Sequence, residues 1–244
     1  MKTIIIPMAG YGSRFIKEGY SEPKMLIRTA HNNASILEFA IQSFKEKLEG
    51  FRWVFVCLKK HVQEWGLANK LYEIMGDEKH IIVTVDEVTN GQLCSILKVS
   101  NWIDSQDILV IHNCDTYFMS DFKYMQYIHE YDGFIPVFKN NSTNYSYVDV
   151  DSNNIASEVI EKQVTPSRYA SVGTYIFKCG ADFLRGADRV KILNERINDE
   201  FYVSSVYKHL INEGKLFKAE LIDGAWPIGT PEELQRFNNQ FKLK

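Results

Sequence analysis

The first half of the chain alternates short apolar segments with segments whose apolar residues recur at helical spacing. Residues 3–9 (TIIIPMA) are almost entirely apolar and run into a glycine-rich turn, which is typical of a buried strand. Further buried strands are predicted at 52–58, 81–85 and 108–112. Helices are predicted between them at 35–50, 61–75 and 91–103, the first opening with the capping box Ser35-Ile36-Leu37-Glu38.

This alternation predicts a mainly parallel sheet with helices on both faces, because buried parallel strands read as nearly continuous apolar runs. Ligands bind such sheets outside the carboxyl ends of the strands. Two segments, Gly10-Tyr11-Gly12 and Asn113-Cys114-Asp115, directly follow predicted strands. They mark this edge of the sheet as the candidate binding site.

The second half has more predicted strands and fewer helices. Strands are predicted at 133–139, 146–150, 171–178 and 216–222, and a helix at 200–211. A last helix is predicted from Thr230, with Pro231 at its first position and a capping glutamate behind it. No Ser-, Gly- or Pro-rich linker separates the halves, so we expect a single domain over residues 1–244, in which 131–244 builds a substrate lid on 1–130.

Composition argues against several classes of protein. The chain carries 28 Lys and Arg against 31 Asp and Glu, a net charge of −3, which argues against a dedicated nucleic-acid-binding protein. Its four cysteines contain no C-x-x-C pair and are typical of reduced cytosolic thiols rather than a disulfide framework or a zinc site. No apolar segment approaches the ~20 residues that span a bilayer. We therefore expect a cytoplasmic protein with neither a nucleic-acid partner nor membrane insertion, while homo-oligomerisation is left open.

Two short segments carry candidate anion-binding chemistry. In Gly10-Tyr11-Gly12-Ser13-Arg14 the glycines let backbone N–H groups approach an anion, and the last two residues add donors. The segment is not a Walker A loop, and Phe15 occupies the third glycine of the dinucleotide fingerprint. Nine residues past Arg14, Pro23-Lys24-Met25-Leu26 offers a cation. Taken alone, the glycine segment is explained equally well as a tight turn, and the lysine is explained better as a solvated surface residue.

Together, the two segments resemble the opening signature of the sugar-nucleotidyltransferases, also called nucleotide-sugar pyrophosphorylases. That signature is a strand, a Gly-x-Gly-Ser/Thr-Arg loop, a short spacer and Pro-Lys with an apolar continuation. Pro7-Met8 replaces the commoner Leu-Ala, so the chain resembles a divergent, compact branch. The resemblance implies an α/β, Rossmann-like GT-A-type fold with a mixed, mainly parallel central sheet flanked by helices.

The resemblance also implies roles for the residues of these segments. The loop would wrap the triphosphate of an NTP, so that 1–130 is the NTP-binding half and 131–244 the acceptor-binding half. Arg14 and Lys24 would neutralise developing charge. The implied nucleotide-binding residues in the loop are Met8, Ala9, Gly10, Tyr11, Gly12 and Ser13.

Similar motifs continue along the chain. Gly91 and Gln92 resemble the loop that recognises the base, although a plain helix start explains them equally well. Asn113-Cys114-Asp115 resembles an Asn-Gly-Asp motif whose aspartate binds Mg²⁺, with cysteine in place of glycine. In the second half, the segments resembling the acceptor site contain Glu161, Lys162 and Gly173.

The closing motif departs from the family pattern. Trp226-Pro227-Ile228-Gly229-Thr230-Pro231 resembles Trp-x-Asp-x-Gly-Thr-Pro, but Pro227 or Ile228 stands where a second metal-binding aspartate is expected. We expect Asp223, just upstream, to reach in as a Mg²⁺ ligand beside Asp115. The alternative is that Asp115 and substrate phosphates suffice, since Mg²⁺ commonly uses one or two carboxylates.

The function implied is nucleotidyl transfer, in which a phosphorylated small molecule attacks the α-phosphate of an NTP and releases pyrophosphate. A sugar 1-phosphate, for capsule or lipopolysaccharide precursors, is the default acceptor of the family. The alternatives are a cytidylyltransferase for phosphocholine-like alcohols, a GT-A glycosyltransferase and a non-catalytic nucleotide-binding protein. Tyr145, Tyr147 and Tyr169 flank the acceptor region and would either stack on the acceptor or serve as half-buried strand aromatics.

Overall fold

The computed structural model describes residues 1–45 and 47–242. The strands formed by these residues are β1 (Thr3–Met8), β2 (Arg52–Leu58), β3 (His80–Val85), β4 (Leu109–His112), β5 (Thr116–Met119), β6 (Gly133–Lys139), β7 (Ser146–Val150), β8 (Ala156–Glu161), β9 (Tyr169–Ser171), β10 (Thr174–Phe177), β11 (Phe217–Leu221) and β12 (Gly224–Pro227). The α-helices are α1 (Ser13–Lys17), α2 (Ile36–Gln42), α3 (Lys59–Trp65), α4 (Leu67–Met75), α5 (Gln92–Leu97), α6 (Gly180–Ile192), α7 (Ser204–Asn212) and α8 (Pro231–Gln240).

A mixed sheet of ten strands forms the centre of the molecule. Its order is β3-β2-β1-β4-β10-β6-β9-β7-β8, with β11 beside β6, while β12 and β5 form a separate pair. The strands β1 to β4 pair in parallel, whereas β10 joins β4 antiparallel and begins the mostly antiparallel part. The α/β fold with a mixed central sheet flanked by helices is confirmed, and strands from both halves of the chain share this sheet.

The strand pattern places apolar side chains on both faces of the sheet. On β1, Ile5 packs into one hydrophobic cluster, while Ile4 and Ile6 pack into the cluster on the opposite face. This alternation follows from the two-residue repeat of a strand, and burial on both faces explains the continuous apolar run. A third cluster lies where α8 packs near α2, around Phe39 and Phe237.

The predicted helix starts at Ser35 and Thr230 are confirmed by their capping bonds. Ser35 and Glu38 form a complete capping box at α2. At α8, the Thr230 hydroxyl accepts a hydrogen bond from the backbone N–H of Glu233. Helix α2 packs against β5 and helix α8 against β12. The caps therefore set the start of two helices that border the candidate site.

Several predicted elements are interrupted in the structure. The helix predicted at 61–75 is split into α3 and α4 because Gly66 has a left-handed conformation. The helix predicted at 91–103 ends at Leu97 and continues as a short 3-10 turn, and the strand predicted at 171–178 breaks at Gly173. The helix predicted at 200–211 starts only at Ser204. Residues 200–203 therefore lie before the helix rather than within it.

The elements missed from the sequence are β5, β8, β12, α1 and α6. The strands β5 and β12 have four residues each and pair only with one another, so neither shows a recognisable period. Helix α6 contains Gly180 and Gly186. Because glycine is unfavourable inside helices, the sequence pattern did not indicate a helix here. A Cβ atom at Gly186 would lie 2.7 Å from Val206 Cγ1, so this glycine permits the close packing of α6 on α7.

Candidate functional site

Two adjoining cavities lie at the carboxyl ends of β1 and β4. The first, of about 300 Å³, is lined largely by residues of the sequence motifs, among them Met8, Ala9, Gly10, Lys24, Gly91, Gln92, Asn113, Cys114 and Asp115. The second, of about 200 Å³, contains the predicted acceptor residues Glu161, Lys162 and Gly173. Gln92, Asn113, Asp115 and Tyr202 line both cavities, so they form the wall between them.

Not every residue of the glycine-rich loop faces the first cavity. Tyr11 is 54% exposed, and neither it nor Gly12 nor Ser13 lines either cavity. Gly12 caps the start of α1 in a left-handed conformation, with its backbone against Lys24. Arg14, expected beside the nucleotide phosphates, lines the second cavity together with the acceptor residues.

An ion pair between Lys24 and Asp115 occupies the centre of the site. Lys24 Nζ lies 2.6 Å from Asp115 Oδ2, and the side chains are 22% and 17% exposed. Burial opposes ionisation of Asp115, but the Lys24 ammonium outweighs it and holds the pKa of this carboxyl below its ordinary value. Burial likewise acts against the charge of Lys24, yet the carboxylate raises its pKa. Both groups therefore remain charged at neutral pH.

The turn that carries Asp115 is held from behind by a buried histidine. Burial lowers the pKa of His112 to about 4, so its ring is neutral near pH 7. The His112 Nε2–H then donates to the Thr116 carbonyl at 3.0 Å, and Nδ1 accepts from the Thr174 hydroxyl at 2.8 Å. Because Thr116 directly follows Asp115, His112 fixes the backbone that positions the carboxylate.

The thiol next to Asp115 is not a candidate nucleophile. Cys114 stands where the resembling motif has glycine, and it is buried against the first cavity. Burial raises the pKa of this thiol to about 11. A neutral thiol is a poor nucleophile and a poor metal ligand, so Cys114 contributes volume to the cavity wall.

The two glycines expected to let ligands approach are also needed for packing within the protein. A Cβ atom on Gly91 would lie 2.5 Å from the backbone nitrogen of Phe201, and one on Gly173 would lie 2.4 Å from Asn113 Nδ2. Both glycines also have positive φ angles, of 99° and 75°. They therefore admit neighbouring protein atoms. Gly91 also lines the first cavity and Gly173 the second, so their role in the approach of the base and the acceptor stays a prediction. Gln92 Nε2 donates to Asn113 Oδ1 at 2.5 Å, which joins the two segments.

The predicted acceptor residues already hold partners within the protein. Glu161 accepts hydrogen bonds from the hydroxyls of Ser146 and Ser204. Lys162 Nζ donates to the Tyr202 hydroxyl at 2.6 Å, and this hydroxyl donates to Glu200 Oε2 at 2.8 Å. Since Glu200 lines the first cavity, this chain of bonds connects the second cavity with the first.

One further residue of the second cavity was not recognised as a site residue from the sequence. Glu233 appeared there only as a helix-capping glutamate, yet its carboxylate lines the cavity and accepts from the Tyr145 hydroxyl at 2.6 Å. Of the three tyrosines expected near the acceptor, only Tyr145 lines this cavity. Tyr147 is fully buried, and Tyr169 lies under the Lys139 ammonium at 4.0 Å.

Asp223 does not approach Asp115. The register of β12 on β5 pairs Pro227 with Thr116, at the end next to Asp115. Asp223 precedes this strand, four residues from Pro227 and therefore about 13 Å away along the chain direction. It is exposed and lines neither cavity, so the expectation that it completes a metal site is corrected. Within 1–45 and 47–242, no group of three or more His, Cys, Asp or Glu side chains is arranged to hold a metal ion.

A family model described as nucleotidyl transferase matches residues 2–242. The described part of the chain has no helix with the length and hydropathy needed to traverse a lipid bilayer. No curated protein matches the chain at a level that would indicate a relative.

Solved structures share the fold at low sequence identity. A nucleoside-diphosphate-sugar pyrophosphorylase from Vibrio cholerae RC9 is 24% identical with a TM-score of 0.83, over 97% of this chain and 100% of that one. The inositol-1-phosphate CTP transferase from T. maritima is 16% identical with a TM-score of 0.68, over 100% and 98%. A UTP-bound UGPase from Acinetobacter baumannii is 15% identical with a TM-score of 0.70, over 97% and 91%. Since the family model spans nearly the whole sequence, the chain belongs to the nucleotidyl transferase family and is a nucleotidyltransferase enzyme.

Proposed function

We propose that the enzyme couples an NTP, bound in the first cavity, to a small phosphorylated acceptor bound in the second, with release of pyrophosphate. The observation that carries this assignment is the position of Asp115, which lines both cavities and is paired with Lys24 on the side of the first. A group transferred from one substrate to the other has to cross this wall. The charged pair therefore lies where the α-phosphate would be attacked.

The residues supply position and charge rather than covalent chemistry. An acceptor phosphate is already an anion near neutral pH, so its attack on the α-phosphate needs no general base. The Lys24 ammonium would stabilise the charge that develops on the phosphate oxygens, and Arg14 adds a second cation from the acceptor side. The amide pair of Gln92 and Asn113 would hold the substrates beside this wall at fixed positions.

Asp115 also fits a Mg²⁺ ion. Its carboxylate is an oxygen ligand of the kind that this ion prefers, and Mg²⁺ typically combines one or two carboxylates with substrate phosphates. When bound, the ion would neutralise charge on the phosphates of the NTP. The buried His112 supports the turn beneath this carboxylate, so the ligand is held in place before any substrate binds.

The size and lining of the second cavity support a compact acceptor. Its volume of about 200 Å³ and its mixture of hydroxyl, carboxylate and ammonium groups suit a sugar phosphate or a phosphorylated polyol. The names of the similar structures include a pyrophosphorylase of nucleotide sugars and a CTP transferase for an inositol phosphate. We assign a sugar 1-phosphate as the leading acceptor class, with synthesis of capsule or lipopolysaccharide precursors as the pathway. All four cysteines are unpaired thiols, which supports a cytoplasmic location.

A matrix of four NTPs against phosphorylated acceptors, with pyrophosphate as the readout, tests the proposal. The panel contains sugar 1-phosphates, inositol phosphates and phosphocholine. We expect pyrophosphate from one NTP with one acceptor class, and no pyrophosphate when the acceptor is omitted. A GT-A glycosyltransferase would instead release a nucleoside diphosphate or monophosphate from a nucleotide sugar. NTP binding without pyrophosphate across the whole panel would contradict catalysis and indicate a binding protein.

A further inference from the structure

The loss of the second aspartate leaves Asp115 without an obvious carboxylate partner. Pro227 and Ile228 occupy the positions where the closing motif would carry that aspartate, and Asp223 lies at the far end of β12. The backbone of this segment nevertheless stays close to Asp115, because the Ile228 N–H donates to the Asp115 carbonyl at 2.7 Å. A carboxylate delivered from just beyond Ile228 would therefore reach the same place.

Glu233 delivers such a carboxylate from the first turn of α8. An ideal Cβ atom built on Gly229 would lie 2.7 Å from Asp115 Oδ2 and 3.5 Å from Glu233 Oε2. The two carboxylate oxygens are therefore within about 6 Å of each other, and the missing side chain of Gly229 leaves the space between them open. Ligands of one Mg²⁺ ion lie closer than this, about 3–4 Å apart, since each is ~2.1 Å from the metal. A small side-chain movement suffices to close the difference.

The environment of Glu233 holds its charge in position without neutralising it. The Tyr145 hydroxyl donates to Oε1 at 2.6 Å, and the Gly229 N–H donates to Oε2 at 2.9 Å. A carboxylate offers about four acceptor sites, so two bonds leave capacity for a cation. In the described parts of the chain, no Lys, Arg or His side chain lies within ion-pair distance of Glu233. Of the two carboxylates, Asp115 is ion-paired with Lys24, while Glu233 has no ion-pair partner among the described residues, which favours binding of a further cation between them.

We propose that Glu233 replaces the missing aspartate as the second carboxylate of a divalent-cation site with Asp115. The inference rests on the proposed function, because it assumes that Asp115 binds the metal ion. Glu233 is three residues beyond the N-cap of α8, and the extra length of a glutamate side chain compensates for its later position in the sequence. The rival explanation is purely structural: the carboxylate would then serve only the Gly229 N–H and the Tyr145 hydroxyl.

The direct test is the binding of Mn²⁺ alone to the full-length protein, measured by electron paramagnetic resonance of the unbound ion. Glu233→Gln retains an acceptor for the two hydrogen bonds but removes the charge. We expect its dissociation constant for Mn²⁺ to rise at least about tenfold. Glu232→Gln is the matched control, because this exposed glutamate lies in the same helical turn and carries the same charge. It should change the constant less than twofold.

Asp115→Asn separates failure of this inference from failure of the proposed function. If Asp115→Asn weakens Mn²⁺ binding and Glu233→Gln does not, Glu233 is structural while the metal site at Asp115 stands. If wild-type protein binds no Mn²⁺ at millimolar concentration, or binds it independently of both residues, the inference is overturned and Asp115 loses its metal role. Should Glu233→Gln fail to fold, Glu233→Asp retains the charge but withdraws it by one methylene. It should then bind Mn²⁺ more weakly than wild type, and an unchanged constant would contradict the proposal.

Discussion

The two cavities are built in different ways. The first takes its lining mainly from backbone turns at the carboxyl ends of parallel strands, with Met8 to Gly10 after β1 and Asn113 to Asp115 after β4. The second takes its lining from side chains on antiparallel strands, loops and α8, which come from distant parts of the sequence. The nucleotide side is therefore determined by the fold itself. The acceptor side is determined by a network of side chains, which substitution can change without altering the sheet.

The charged pair in the wall between the cavities should show the largest effect. We expect Lys24→Ala to lower kcat/KM for pyrophosphate formation by about 10²- to 10³-fold, because it removes the cation that stabilises the charge developing on the phosphates. The variant should retain the circular dichroism spectrum of the wild type. Lys17→Ala, which removes an exposed lysine from α1, is the control and should keep normal activity. Activity of Lys24→Ala within a few-fold of wild type would show that the wall is not the reaction centre.

The histidine beneath the wall should make stability depend on pH. Its pKa is lowered to about 4 in the folded protein, against 6.5 in the unfolded chain. Between these values the unfolded chain binds a proton that the folded protein does not, so the free energy of unfolding falls as pH decreases from about 6.5 to 4. The full loss is ~3 kcal/mol, and stability is unaffected by this group above pH 6.5.

Urea unfolding of wild type and His112→Gln at several pH values measures this dependence. Other carboxyl groups also titrate below pH 5, so the relevant quantity is the difference between the two proteins. We expect that difference to shrink towards low pH, because only the wild type loses stability through His112. A difference independent of pH would mean that His112 is not kept neutral by the fold.

The sequence was informative for the first cavity because its residues are contiguous. Met8 to Gly10, and Asn113 to Asp115, each follow a strand that an apolar run already predicts, and the rule for parallel sheets brings them together. The second cavity depends on pairings that no local pattern contains. Tyr202 reaches the wall because the Phe201 N–H bonds to the Asn90 carbonyl, and Glu233 reaches it because β12 pairs with the short strand β5.

The same distinction explains what the sequence did not show at single residues. Gly91 and Gly173 were recognised as positions that need glycine, but the sequence does not show which atoms approach them. Asp223 was the carboxylate that the sequence offered just before the closing motif, whereas Glu233 lies nearer to Asp115 in space, since β12 carries Asp223 away. Where a strand or a helix separates two residues, their distance along the chain does not show how close their side chains lie in space.

On the acceptor side, Tyr202→Phe should produce a moderate and selective effect. The substitution removes the hydroxyl that holds Lys162 Nζ at 2.6 Å, so the ammonium loses its fixed orientation towards the cavity. We expect the KM for the phosphorylated acceptor to rise about fivefold, which corresponds to ~1 kcal/mol for one hydrogen bond. The KM for the NTP should stay within twofold. Equal changes in both constants would indicate that Tyr202 acts on the shared wall rather than on Lys162.

The smallest effect is expected for Tyr145→Phe, which removes one donor from Glu233 but keeps the ring. Losing this hydrogen bond should lower the free energy of unfolding by about 1 kcal/mol, or Tm by roughly 2–4 °C for a chain of this size. Tyr11→Phe is the control, because the Tyr11 side chain is exposed and should leave Tm unchanged. Binding of the NTP should be unaffected, since Tyr145 lines only the second cavity. A loss of NTP affinity would mean that the side-chain network of the acceptor cavity also supports the nucleotide cavity, and the two would then respond to substitution as one site.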